Sequence, residues 1–200
     1  VCFVSLIKPS VALLEKRISF IPLLAGLYSY PYRRVVEKEI ELAGIKAADK
    51  VLNVGCGAVP FTAVFLASLT GAQVWAIDRD IEAVRKARQC LERMGLLGAV
   101  RVLEGDGGAV VPVDFDAAVV ALQAEPKENI LRNLISAALP GGRIVLRLPS
   151  PRFKGHYDSI PDYPRPAAQV RQGMHTFDRS VLFIKEQAGQ GNGCYLQGKG

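Results

Sequence analysis

Gly55, Cys56 and Gly57 close a short apolar run, residues 51–54, and a helix-forming stretch starts near Pro60. A glycine turn between a strand and a helix lets backbone come close to a nucleotide. A second apolar run ends in Asp78, about twenty residues on, where a carboxylate can accept hydrogen bonds from both ribose hydroxyls. A third run ends in Glu104-Gly105-Asp106-Gly107, which puts another carboxylate at the same edge. Glycine for close approach, one carboxylate for a sugar and a second for the amine of a base together describe a nucleoside site. The expected binding set is Gly55, Cys56, Gly57, Pro60, Asp78, Arg79, Asp106 and Gly107, with Ala121 and Glu125 at the end of a fourth run. In this set Cys56 serves as a small wall residue rather than a nucleophile.

These residues need a scaffold that brings several chain turns to one edge. Apolar runs at 51–54, 73–77, 100–103, 115–122 and 143–148 alternate with helical patterns at about 61–69, 81–94 and 126–139, the repeat of a parallel, doubly wound sheet. Asp80 is placed to N-cap the helix to Met94, and Gly95 to stop it. Upstream, 1–48 reads as a short N-terminal helical extension, with one helix around Leu13, Leu14 and Arg17 and a second from Pro31 to Gly44. The Rossmann-like domain spans 49–186, and the Gly- and Gln-rich 187–200 reads as a flexible tail. Five prolines within 149–166 predict a loop crossing a site or a partner, and 180–185 an antiparallel edge strand.

Composition narrows the classes. Half of the 200 residues are apolar, enough for one substantial α/β domain. Cysteines at 2, 56, 90 and 194 form no CxxC pair, and only two histidines exist, so neither a disulfide framework nor a metal site is expected. The apolar stretches 1–7 and 18–27 are too short to span a bilayer and no cleavage signal follows them, which predicts a cytoplasmic protein without a membrane partner. The net charge is +6, and residues 143–185 carry eight Lys or Arg against three Asp. That excess faces nucleic acid, an anionic substrate or solvent; no aromatic-rich RNA motif accompanies it, so nucleic acid is disfavoured.

The nucleotide can be narrowed further. Dinucleotide folds carry a third glycine where this chain has Pro60, and a pyrophosphate needs the approach which that glycine permits. S-adenosylmethionine has no phosphate. The glycine turn would pass beneath its methionine part, with Asp78 at the ribose and Asp106 beside the adenine amine.

Over residues 50–148 this spacing resembles the class I S-adenosylmethionine-dependent methyltransferases, which implies a seven-stranded Rossmann-like sheet. The chain departs from their commonest motif at Ala58 and lacks an N/D-P-P-Y/F motif, which disfavours methylation of adenine. Three segments are similar to the nicotianamine synthase family: GCGAVPFTAVFLA, ALQAEPKENILRNLI and YSYPYRRVVEKEIELAGI. The resemblance covers about residues 28–148. It implies transfer of the aminocarboxypropyl group of S-adenosylmethionine to a small amine or amino-acid acceptor, a metal-chelating product and release of methylthioadenosine. By the same resemblance Glu39 takes the proton of the acceptor or keeps its amine neutral; Tyr30 or Tyr32 would orient the acceptor, and Glu125, just past the fourth strand at the edge where ligands bind, would hold that amine or the cofactor's amino group. The family has a larger N-terminal helical domain than the roughly fifty residues that precede the first strand here, so the site is expected to be more open, or covered by the 149–166 loop or by a second subunit of a homodimer. A conventional small-molecule methyltransferase and a non-catalytic cofactor- or RNA-binding module are the alternatives.

Overall fold

A computed structural model of the chain describes residues 22–186 apart from 110, 112, 159 and 161–163, with side chains from residue 32 onward. The expectations for residues 1–21 and for 187–200 lie outside the described residues. A long helix, α1 (Pro22–Ala43), precedes β1 (Lys50–Val54), α2 (Phe61–Thr70), β2 (Gln73–Asp78), α3 (Ile81–Met94) and β3 (Val100–Glu104). Then come β4 (Ala117–Val120), α4 (Lys127–Ala137), β5 (Arg143–Pro149), a 3₁₀ turn (Pro151–His156), β6 (Ala168–Arg171) and β7 (Phe177–Ile184).

The strands form one seven-stranded sheet in the order β3-β2-β1-β4-β5-β7-β6. The first five are parallel, while β7 runs antiparallel to both β5 and β6. This is the mostly parallel, doubly wound Rossmann-like methyltransferase sheet. Its central strands are buried on both faces, so they read as continuous apolar runs. Alternate residues divide between two cores: Val51, Ala117, Val119 and Val145 join α1, α2 and α3, while Leu52, Ala118, Val120, Ile144 and Leu146 join α4.

Local chemistry sets the helix ends. Asp80 Oδ1 accepts from the Glu82 N–H at 2.9 Å, an N-cap that contributes about 1 kcal/mol. Gly95 then closes α3 through N–H bonds to Glu92 and Leu91 carbonyls.

Four expectations are corrected. α1 starts at Pro22 and runs through Pro31, because Pro22 offers the same first-turn advantage and the helical stretch extends upstream of Pro31. The fourth strand is 117–120 rather than 115–122. β7 is not the edge: β6 lies outside it, a four-residue strand with mostly exposed side chains and hence no apolar alternation to reveal it. The loop after Pro149 opens with an ordered 3₁₀ turn. No helix among the described residues is long and apolar enough to cross a membrane.

Candidate active site

The carboxyl ends of the central parallel strands surround an open cleft of about 300 Å³. β1 supplies Val54 and the turn Gly55, Cys56, Gly57 and Ala58; β2 supplies Asp78, Arg79 and Asp80. The turn after β3 supplies Gly105, Asp106 and Gly107, and the loop after β4 supplies Gln123, Ala124 and Glu125. Ala83 and Ile130 complete the wall from α3 and α4. The crevice outside the strand ends is where open α/β sheets bind ligands.

Each carboxylate is fixed by backbone. Asp78 accepts from the Gly57 N–H at 2.8 Å and the Asp80 N–H at 3.0 Å, which ties the end of β2 to the glycine turn. Asp106 accepts from the Gly108 N–H at 2.8 Å. Glu125 does not cap α4; its Oε1 accepts from the Asp158 N–H at 3.0 Å. Four carboxylates, Asp78, Asp80, Asp106 and Glu125, face one guanidinium, Arg79, so the cleft is acidic in a chain of net charge +6. Such a concave surface favours cationic ligands.

Two glycines are dictated by space. Gly55 has φ +77°, and a Cβ there would lie 3.2 Å from the Ala124 Cβ and 3.3 Å from the Ala121 Cβ. At Gly107 a Cβ would come within 2.6 Å of Val54 Cγ1. Below the loop after β4, Lys127 is fully buried and donates to the carbonyls of Leu122 at 2.7 Å, Ala124 at 3.0 Å and Ala121 at 3.4 Å. The Lys of the A-E-P-K run thus folds the segment that carries Gln123 and Glu125.

Several expected site residues lie elsewhere. Pro60 is the residue before α2, and Ala121 packs behind Gly55; neither is in the cleft wall. Tyr32 sits on α1 with its ring 6.3 Å from that of Phe61, also outside the wall. The side chain of Tyr30 lies outside the described residues. Glu39 is fully buried away from the wall. Both its oxygens are taken by Arg147 at 2.8 Å, and Ser180 donates to Oε1 at 2.7 Å. Arg147 also donates to Thr62 Oγ1 at 3.1 Å. Burial works against the charge of Arg147, but Glu39 outweighs it and holds the guanidinium above its ordinary value. As built, Glu39 anchors α1 to β5, β7 and the first turn of α2.

Arg147, Ser180 and Lys127 were not among the expected site residues. For Arg147 a signal existed: a charge within the run RIVLRLP of a strand buried on both faces requires a buried partner. The same observation revises the basic segment. Arg147 is internal, Arg143 binds Asp49 at 2.9 Å, and Lys185 donates to the Ser136 and Ala138 carbonyls, so three of its eight cations serve the fold. Among the described residues no group of three or more His, Cys, Asp or Glu could hold a metal ion.

The sequence model of the protein-L-isoaspartate(D-aspartate) O-methyltransferase (PCMT) family matches residues 28–154. L-histidine 2-aminobutanoyltransferase of Yersinia pestis is 31% identical over 120 residues, 60% of this chain and 45% of that protein. Protein-L-isoaspartate O-methyltransferase of Methylorubrum extorquens (strain PA1) is 32% identical over 159 residues, 75% of this chain and 67% of that protein. The chain spans about half the length of most curated relatives it matches, 45% for the Yersinia protein. Among solved structures, a glutamate-to-glutamine mutant of MtNAS in complex with S-adenosylmethionine superposes with a TM-score of 0.75. It covers 88% of this chain and 72% of that chain at 22% identity, a likeness of fold. S-adenosylmethionine is the cofactor of this family, and the cleft suits it: glycine backbone at Gly55, Gly57, Gly105 and Gly107 lines it beside the carboxylates of Asp78 and Asp106.

Proposed function

The chain belongs to the protein-L-isoaspartate(D-aspartate) O-methyltransferase family, within the class I S-adenosylmethionine-dependent enzymes, and from that premise we propose that it is an aminocarboxypropyltransferase acting on the amine of a small amino-acid-like acceptor. When bound, S-adenosylmethionine supplies a sulfonium whose attached carbons are open to in-line attack, and which carbon reacts depends on which one the protein aims at the nucleophile. Asp78 would hold the ribose hydroxyls and Asp106 the adenine amine, while Gly55, Gly57 and Gly107 keep the backbone close. Glu125 would hold the acceptor amine and take its proton, the task of a carboxylate within reach of the attacking group.

The observation that carries this reading is the cleft-facing carboxylate of Glu125 in an already acidic wall. An amine acceptor gains from that field, whereas a carboxylate acceptor is repelled by it. The Yersinia pestis relative, whose name describes transfer to L-histidine, supports the same class of reaction. Glu39 keeps a role in this reading, as the anchor of the helix beside the site rather than as the base. The product would combine several amines and carboxylates, a chelator of the nicotianamine type. The family match favours a second reading, methyl transfer through the same cleft.

The test is the nucleoside released when the protein is incubated with S-adenosylmethionine and a panel of free amino acids that includes L-histidine. Methylthioadenosine is expected. S-adenosylhomocysteine would replace this reading with methyl transfer.

A further inference from the structure

We propose that Arg79 is the carboxylate-binding residue of the cleft: its guanidinium receives a ligand carboxylate, either that of an amino-acid acceptor or that of the methionine part of S-adenosylmethionine. For the acceptor this rests on the amine-acceptor reading above; for the cofactor it does not.

Arg79 follows β2 directly and lines the cleft as an exposed residue. Its Nη1 donates to the Glu125 carbonyl, on the loop after β4, at 3.4 Å. In the sheet β1 lies between β2 and β4, so the arm reaches past the end of β1, where the glycine turn begins. That contact is at the long end of the hydrogen-bond range and engages one of five guanidinium N–H donors. Among the described residues Arg79 forms no ion pair, although four carboxylates share the wall with it. Backbone holds those carboxylates instead: N–H groups of Gly57 and Asp80 hold Asp78, and those of Glu82, Gly108 and Asp158 hold Asp80, Asp106 and Glu125. The guanidinium fork, which matches a carboxylate through two parallel bonds, is thus open to a ligand.

The charge of the wall decides where a ligand carboxylate can go. Arg79 is the one cation among the described residues that line the cleft. The four acids attract an ammonium and repel a carboxylate, which leaves the guanidinium as its place. An amino-acid acceptor and the methionine part of S-adenosylmethionine each present an ammonium and a carboxylate on one carbon, so a fixed place for the carboxylate orients the ligand. A field effect without contact has the opposite sign. S-adenosylmethionine carries a net positive charge, and removing a cation from an acidic cleft would by itself tighten its binding and that of a simple amine. Affinity lost on removing Arg79 therefore reports direct contact.

Arg79→Gln tests this with ligands paired by the presence of a carboxylate. Calorimetry compares S-adenosylmethionine with decarboxylated S-adenosylmethionine, and steady-state kinetics compare L-histidine with histamine. In the variant the carboxylate-bearing member of one pair should weaken about 10- to 100-fold, the loss of hydrogen bonds between charged groups, while its decarboxylated partner holds or tightens. A loss confined to S-adenosylmethionine assigns the carboxylate to the cofactor, and a loss confined to L-histidine assigns it to the acceptor. Unchanged binding of both carboxylate ligands, or equal weakening within each pair, would overturn the role and leave Arg79 a strut between β2 and the loop after β4. If no acceptor yields methylthioadenosine, the transfer reading fails on its own. The S-adenosylmethionine pair, with calorimetric titration of L-histidine into the S-adenosylmethionine-loaded protein, then decides the role of Arg79 by the same outcomes.

Discussion

Glu39 and Glu125 are two carboxylates near the carboxyl end of one sheet, and their surroundings are opposite. Glu39 is 0% exposed, and Arg147 and Ser180 occupy both its oxygens. Glu125 lines an open cleft with three other acids, and its Oε1 accepts from the Asp158 N–H. The first is held by partners that were desolvated along with it. The second stands where a ligand in the cleft would meet it. The contrast is between a carboxylate built into the packing and one on a cleft wall, a distinction that residue type alone does not make.

The pair Glu39–Arg147 should break most severely. Glu39→Gln leaves a guanidinium buried without its counter-charge, at a cost of about 3–5 kcal/mol in folding stability. Chemical denaturation measures it. The double variant Glu39→Met with Arg147→Met should recover most of that loss, since apolar residues of similar volume replace buried pairs at little cost. A double variant no more stable than Glu39→Gln would show that the anchor is more than a charge pair.

The cleft should respond the other way, in ligand affinity rather than in folding. Asp78→Ala should weaken S-adenosylmethionine by about 1.5–3 kcal/mol, the value of charge-assisted hydrogen bonds. Unchanged affinity in a calorimetric titration would place the ribose elsewhere. Gly107→Ala forces a Cβ to within 2.6 Å of Val54 Cγ1, and the resulting shift should cost about 1–3 kcal/mol, divided between stability and cofactor affinity. Wild-type values for both would mean that the turn yields freely.

What could be read in advance was local. Asp80 and Gly95 announce both ends of α3 because capping acts over a few residues, and the strands announce themselves because two-sided burial demands unbroken apolar runs. The cleft edge followed, since Gly55, Asp78 and Asp106 each stand at or just past the end of a strand that topology brings alongside the next. Partners far apart in the chain were hidden. Glu39 and Arg147 are 108 residues apart, and in its charge-rich stretch Glu39 looks like any solvated helix residue. β6 was hidden for a different reason: as an exposed edge strand it carries no apolar pattern. Tyr157 gains its place from contacts with α1, the loop beyond β4 and β7, none of which is near it in sequence.

The contrast between the two carboxylates is tested most directly by Glu125→Gln, assayed as methylthioadenosine released from S-adenosylmethionine and an amino-acid acceptor. The variant should fold as the wild type and bind S-adenosylmethionine with the same Kd. Its turnover should fall by about 10²- to 10⁴-fold, the contribution of a positioned general base. Turnover at the wild-type rate would contradict the assignment and return the search for the base to other groups around the cleft.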